Sequence, residues 1–291
     1  MQMYSPLRYP GGKSRLSNFI KQSIFNLNME HGTYIEPFAG GAGVALSLLL
    51  EGTVDNIVIN DYDKAIYSLW RAIKQEPNAL IEKIANTPIT IDEWDKQKAI
   101  YTSSKSYSLN LAFATLFLNR TNRSGILTAG PIGGHNQSGD WTLDVRFDPD
   151  ALISKIQAIA EHRNNIFVYN KDVISLLKNY LPQFGDNVFI YFDPPYYKKG
   201  QKLYKNFFTP DDHKRIRDVI ATEINTPWII TYDDVYEISE LYKNYPIKRF
   251  DLTYSAANKG TASELMIFSD ATFCPTQDQM KANRININLR N

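Results

Sequence analysis

Five short apolar runs, most of them separated by helix-length stretches, leave this chain of 291 residues few folds to choose from. Thr33 to Phe38 (TYIEPF), Asn56 to Asn60 (NIVIN), Ile166 to Tyr169 (IFVY), Val188 to Phe192 (VFIYF) and Trp228 to Thr231 (WIIT) read as buried strands. They are rich in β-branched and aromatic residues and lack the alternation of a half-wet strand. Helical patterns lie between them at Ala42 to Glu51, Asp172 to Leu181 and Pro210 to Thr222. The last opens with Thr209 as N-cap, Pro210 at the first helical position and Asp211 and Asp212 in the first turn. This β-α alternation predicts an α/β fold, a mostly parallel sheet with helices on both faces. The stretch after Ile247 and the run Glu264 to Ser269 are expected to add strands at one edge.

The alternation breaks between residues 75 and 148. Ile91 to Tyr101 and Leu109 to Leu118 read as helical, whereas Asn119 to Asp148 is rich in Gly, Asn, Thr and Arg and has no period. A loop this long inside a compact domain is usually functional. The segment 75–148 therefore reads as a mostly helical inserted subdomain in a main domain formed by 1–74 and 149–275, and the polar residues 276–291 read as a loosely held tail. Lys and Arg number 32 and Asp and Glu 31, so a uniformly basic coat is excluded and any nucleic-acid surface must be local. The single cysteine, Cys274, cannot form an internal disulfide or a multi-cysteine metal site, and the four histidines are scattered, so no metal is expected. The segment MQMYSPLRYPGGKSR lacks the apolar core of a signal peptide, and the strongly apolar stretch Val44 to Leu50 is far short of a membrane span. A cytoplasmic protein with no membrane partner is expected.

Glu36-Pro-Phe-Ala-Gly-Gly-Ala-Gly43 closes the first strand and opens a helix, so small residues let a ligand press against the backbone there. It is not a dinucleotide fingerprint, because Gly41 and Gly43 are followed by Leu46 where the third glycine belongs. Nor is Gly12-Lys13-Ser14 the end of a phosphate-binding P-loop, whose first glycine would fall at Leu7. Glu36 would repel a pyrophosphate but suits a sulfonium or ammonium. Eighteen residues after Gly43 the second strand ends in Asp61, placed to accept hydrogen bonds from both hydroxyls of a ribose. A nucleoside with a positive group and no phosphate describes S-adenosyl-L-methionine.

Asp193-Pro-Pro-Tyr196 follows the strand VFIYF. Two prolines end the strand and stiffen the turn, fixing the Asp193 carboxylate at the carboxyl edge of the sheet. An exocyclic amine on a nucleobase is a poor nucleophile because its lone pair is delocalised into the ring. The Asp193 carboxylate and the Pro194 carbonyl can accept its two hydrogens, draw density onto nitrogen and take up the proton as a methyl arrives. Tyr196 offers a flat face on which an extruded base can stack.

With these motifs in this order, the chain resembles the Dam-like, D-P-P-Y class of adenine-specific DNA methyltransferases over most of its length. Leu7-Arg-Tyr-Pro-Gly-Gly-Lys13 is similar to the family's opening motif, which implies that Tyr9 and Lys13 lie near the methyl donor. The donor loop carries Glu36, Phe38, Gly40, Gly41 and Gly43, and Asp61 matches the ribose acid. Asp172 matches an acid placed near the donor's adenine, and Asp193 to Tyr196 matches the catalytic motif, with Asp193 also beside the donor. The resemblance implies a Rossmann-like S-adenosylmethionine-dependent methyltransferase sheet, with the insert recognising double-stranded DNA. The product would be adenine methylated on its 6-amino group after base flipping. The loop Gly130 to Trp141 departs from the members that read GATC, so no target sequence is implied. A companion restriction endonuclease is a partner the resemblance suggests, and the chain is expected to act as a monomer.

Expected DNA contacts from the insert are Asn119, Arg120 and Arg123, joined by Arg8. Asn119 could instead cap a helix or turn, and either arginine could contact phosphate or make a structural ion pair. Between Tyr196 and Arg217 lie seven basic and two acidic residues with interleaved aromatics, including Lys198 and Lys199, and this stretch is expected to be a loop that orders on DNA. Amino methylation of cytosine, RNA or protein glutamine is the nearest rival, and a non-catalytic DNA-binding module is the rival from another class. The absence of a Pro-Cys nucleophile motif argues against methylation of a cytosine ring carbon.

Overall fold

The computed structural model describes residues 3–8, 13–198, 208–254 and 260–290. Each predicted strand forms, as β1 (Thr33–Glu36), β2 (Asn56–Asn60), β3 (Ile166–Tyr169), β4 (Val188–Phe192) and β5 (Trp228–Asp233). The two expected edge strands are β6 (Ile247–Tyr254) and β7 (Gly260–Phe268), and a short β8 (Leu289–Arg290) closes that side. The sheet order is β3-β2-β1-β4-β5-β7-β6-β8. The first five strands pair in parallel, and β7 runs antiparallel between β5 and β6. The chain proceeds outward from β1 through β2 to β3, then returns to place β4 on the other side of β1. Ligands of open α/β sheets bind at such a switch, outside the carboxyl ends of the strands.

The central strands are apolar at nearly every position because both faces are covered. Tyr34, Ile57, Ile59, Phe189 and Ile229 enter one apolar cluster, and their neighbours Ile35, Val58, Ile190 and Ile230 enter the other. The first cluster takes in α1 (Ser17–Asn26), α2 (Gly43–Leu50) and α3 (Lys64–Gln75). The second takes in α8 (Val173–Asn179), α9 (Pro210–Glu223) and α10 (Tyr236–Leu241). The expected cap on α9 is present: Thr209 accepts from the Asp212 N–H, and the Asp212 carboxylate accepts from Thr209 in return.

The segment 75–148 holds α4 (Pro77–Asn86), α5 (Ile91–Ser103) and α6 (Leu109–Thr121), and α7 (Pro149–Glu161) follows it. α6 is apolar on most of its circumference because α3 and α5 both pack against it, while α4 lies against α7. Leu80, Trp94, Leu111, Phe117 and Ile156 belong to the same apolar cluster as the first face of the sheet. Beyond α6 the chain is irregular apart from short 3-10 turns at Arg123–Gly125 and Leu143–Arg146, as its lack of period predicts.

The expectation of a loose tail is corrected. Residues 277–282 form α11 (Gln277–Ala282), closed by a Thr276–Gln279 capping box. Met280, Ile285 and Ile287 are buried, and β8 pairs with β6. The Gln279 amide exchanges hydrogen bonds with Asn26 of α1 at 2.7 and 3.2 Å. Regularly placed apolar side chains within the polar stretch hold it. Among the described residues no helix is long and apolar enough to cross a membrane.

Candidate active site

β1 and β4 are neighbours, so Glu36 at the end of β1 and Asp193 just beyond β4 come out side by side at the switch. Glu36 is only 5% exposed. Its Oε1 accepts from the Ala45 N–H at 3.0 Å and the Tyr34 hydroxyl at 3.2 Å. Burial pushes its carboxyl up to about 8, and the Asp193 charge adds to the push against those two donors.

The glycine loop turns tightly between β1 and α2. Gly40 and Ala42 both have positive φ, at 47° each. The Gly40 N–H donates to Asp61 Oδ2 at 2.9 Å, and its carbonyl accepts from Trp70 Nε1 at 2.9 Å. Gly43 opens α2 where a Cβ would fall 2.5 Å from the Ser14 hydroxyl, so the loop and the N-terminal segment meet closely there and a side chain would make Ser14 turn away. Gly41 is buried in the turn, and Phe38 is half-buried with its ring edge-on to Phe208 at 5.8 Å. Asp61 also accepts from the Asp63 N–H at 2.8 Å, and burial pushes its carboxyl up to about 7. Exposed Asp172 caps α8 by accepting from the Ile174 and Ser175 N–H groups, which fixes it at the carboxyl end of β3.

Asp193 Oδ1 lies 3.2 Å from Lys13 Nζ and accepts from the Thr231 hydroxyl at 3.0 Å. Having one hydrogen, Thr231 accepts from Tyr191 at 2.8 Å and from Lys13 at 3.2 Å. Lys13 Nζ also donates to Glu264 Oε2 at 2.5 Å, and Glu264 Oε1 accepts from the Tyr196 hydroxyl at 2.9 Å. Burial raises the Asp193 pKa and Glu264 adds to it, with Lys13 and Thr231 opposing. Burial would lower that of Lys13, but the Asp193 and Glu264 carboxylates outweigh it and the pKa rises. Asp193 retains 26% side-chain exposure, so it stands at the surface of the site and not behind it. Pro194 is buried, and Tyr196, 7% exposed, has Lys13 Nζ 5.8 Å from its ring centroid. A base can lie on that ring only after neighbouring side chains part. Beyond the turn, the Asp233 carboxylate accepts from the Tyr197 and Lys198 N–H groups at 2.8 and 3.0 Å and fixes where the chain leaves.

Four carboxylates, Glu36, Asp61, Asp193 and Glu264, thus gather at this end of the sheet, and Lys13 pairs with two of them. An excess of buried acid beside a tight glycine turn fits a nucleoside that carries a positive group. Sequence reasoning missed Glu264, Thr231 and Tyr191. None lies in a motif, and Glu264 reaches the site only because β7 is the antiparallel neighbour of β5.

Of the expected DNA contacts, Asn119 is corrected to a structural clamp: it is 2% exposed, accepts from the Arg8 N–H at 2.7 Å and donates to the Arg8 and Gly125 carbonyls. No edge of its amide is left for a base. Arg8 is half-buried and reaches the Asn122 carbonyl at 3.3 Å, and Arg120 Nε donates to the Arg146 carbonyl at 2.6 Å. Burial, then the charges of Arg8 and Arg146, bring Arg120 down to about 10, with Asp148 in opposition. This is a cation cluster in which, among the described residues, none of the three arginines forms an ion pair. Arg123 is exposed at the start of a 3-10 turn, and exposed Lys198 pairs with Glu237 at 3.5 Å. Tyr9 and Lys199 lie outside the described residues, as do residues 199–207 of the stretch expected to be a loop that orders on DNA; for residues 210–217 that expectation is corrected, because they form the first half of α9.

A mainly parallel sheet that brings a tight glycine loop and a rigid acidic turn to one switch point places the chain in the class of α/β proteins whose site lies at the carboxyl ends of the strands. The chain belongs to the D12 class N6 adenine-specific DNA methyltransferase family, which it matches over residues 9–256. It is 24% identical over 221 residues to the type II methyltransferase M.MjaIII of Methanocaldococcus jannaschii, covering 67% of this chain and 70% of that one. It is 22% identical over 286 residues to the type II methyltransferase M1.LlaDCHI of Lactococcus lactis subsp. cremoris, covering 89% and 93%. Among solved structures, the rRNA methyltransferase aviRa from Streptomyces viridochromogenes aligns over 91% of this chain and 88% of its own, at 12% identity and a TM-score of 0.40.

Proposed function

We propose that this enzyme transfers the methyl group of S-adenosyl-L-methionine to the 6-amino group of an adenine turned out of duplex DNA. The observation that carries the reading is the meeting of Glu36 and Asp193 at the ends of adjacent strands β1 and β4, with Asp61 fastened to the same glycine loop. The bound donor supplies an electrophilic methyl on a sulfonium. Glu36 faces that positive charge, Asp61 accepts from the ribose hydroxyls, and Asp172 and Phe38 flank the adenine end.

Asp193 and the Pro194 carbonyl orient the target amine. Lys13 and Thr231 both hold Oδ1 of Asp193, and among the described residues Oδ2 has no protein donor, which suits it to accept an amine hydrogen. The carboxylate would draw the N–H toward itself as nitrogen bonds to the methyl carbon, and it would take the proton that the amine loses, while the S–CH3 bond pair stays on sulfur and leaves the donor as a neutral thioether. Holding the amine in place makes the encounter effectively unimolecular. Tyr196 supports the displaced base once its neighbours part. Segment 75–148 recognises the target through Arg123, with Arg8, Arg120 and Lys198 on flanking phosphates. The type II designation of both curated relatives supports a restriction–modification setting with a companion endonuclease.

The test uses a long duplex of mixed sequence free of methylated bases, incubated with labelled donor and digested to nucleosides. The expected product is N6-methyladenine; methylcytosine in its place would end the assignment. Asp193→Ala should abolish transfer while donor binding survives, and turnover near wild type would remove Asp193 from its role.

A further inference from the structure

Glu264 lies beyond the matched family region, on β7, and carries none of the expected motifs. Its side chain is 2% exposed, a costly place for a carboxylate unless both oxygens are engaged. Here Oε2 holds Lys13 Nζ at 2.5 Å and Oε1 holds the Tyr196 hydroxyl at 2.9 Å. The same ammonium stands 3.2 Å from Asp193 Oδ1. One carboxylate thus ties together the cation that faces Asp193 and the tyrosine three residues after it.

We propose that Glu264 is a positioning residue for methyl transfer: by taking the larger share of the Lys13 charge it keeps Asp193 a strong acceptor, and by the same side chain it sets the Tyr196 ring. The inference rests on the reading of Asp193 as the amine acceptor. A lysine ammonium paired with Asp193 alone would hold its electron density and weaken its pull on the amine proton. With Glu264 opposite, the ammonium orients Oδ1 without fully neutralising it. The other titratable groups that act on Asp193 are Glu36, Tyr34, Tyr191 and Tyr232, and none of these touches Lys13 through a described hydrogen bond. Tyr196 completes the set through Glu264.

Glu264→Gln keeps the shape and removes the charge. The expected result is a fall in kcat of about tenfold to a hundredfold, part of the roughly 10²–10⁴-fold that proton transfer to a positioned base contributes, since Asp193 itself remains. KM for the donor should change by less than about threefold, since the donor-facing acids Glu36 and Asp61 are untouched. The acid limb of the kcat profile should move to lower pH, because the Glu264 charge raises the Asp193 pKa and its loss lets Lys13 lower it. Glu264→Asp keeps the charge but is too short to reach both partners, so its kcat should fall at least about threefold with the acid limb unmoved. A Glu264→Gln enzyme with wild-type kcat and an unmoved acid limb overturns the proposal. Should that variant not fold, Glu264→Asp decides, and wild-type kcat there overturns it equally. A wild-type chain that makes no methyladenine removes the functional reading itself; active wild type with indifferent variants removes this inference alone.

Discussion

At pH 7 the protein should release protons as it takes up its methyl donor, and Glu36 should supply most of them. Burial holds the Glu36 carboxyl at about 8 and that of Asp61 at about 7. At pH 7 the first is therefore about nine-tenths protonated and the second about half. A sulfonium beside Glu36 and hydroxyls donating to Asp61 both favour the ionised carboxylate. Binding should drive off about 0.9 proton from the first and about 0.5 from the second. Below its pKa each group must lose a proton before the ligand can settle, so affinity tightens as pH rises. From pH 6 to pH 9 Glu36 alone accounts for roughly a hundredfold. Calorimetric titration of the donor in two buffers of different ionisation enthalpy measures the protons released. The donor's own amine contributes equally to wild type and to Glu36→Gln, so the difference isolates Glu36. The variant should release about 0.9 fewer protons at pH 7. Equal release from the two proteins would show that Glu36 does not meet the ligand's charge.

The Arg8, Arg120 and Arg146 cluster should contact phosphate. Replacing Arg146 with Ala should weaken binding to duplexes of any sequence alike and reduce the slope of log affinity against log salt by about 1; loss confined to one sequence would show base reading instead. Truncation after residue 275 removes α11 and β8 and strips three buried apolar side chains from the first face, so Tm should fall by about 5 °C or more in a thermal melt. A tail that merely drapes over the surface would leave Tm unchanged.

Much of the architecture was legible because the central strands are buried on both faces. VFIYF is apolar or aromatic throughout, and NIVIN confines its polar residues to the two ends, Asn56 and Asn60, so neither leaves a wet face along the strand. The glycine loop, Asp61 and the double proline were legible for a related reason: backbone geometry and covalent stiffness act locally. α4 and α7 were missed although both begin with proline and carry apolar side chains at helical spacing, Leu80 and Ile84 in one and Leu152, Ile156 and Ile159 in the other. Reading the end of the insert at 148 as a boundary hid the helix that starts there. The tail went the same way, its few buried residues outnumbered by polar ones. Composition leaves Asn119 open between a DNA contact and a cap, because it cannot tell an amide aimed outward from one that clamps two carbonyls. Glu264 could not have been found, since its partners Lys13 and Tyr196 stand 251 and 68 residues away. Only the antiparallel insertion of β7 next to β5 brings them together.

During synthesis the ribosome delivers Lys13 251 residues before Glu264. Before β7 takes its place between β5 and β6, the glycine loop and the acidic turn are already in the polypeptide, and of the two carboxylates that pair with Lys13 in the finished fold it holds Asp193 alone. A product cut short before Glu264 would therefore keep the acidic turn and lack the carboxylate that shares Lys13 with it, so on the proposed role of Glu264 such a product should methylate poorly however well its motif is preserved.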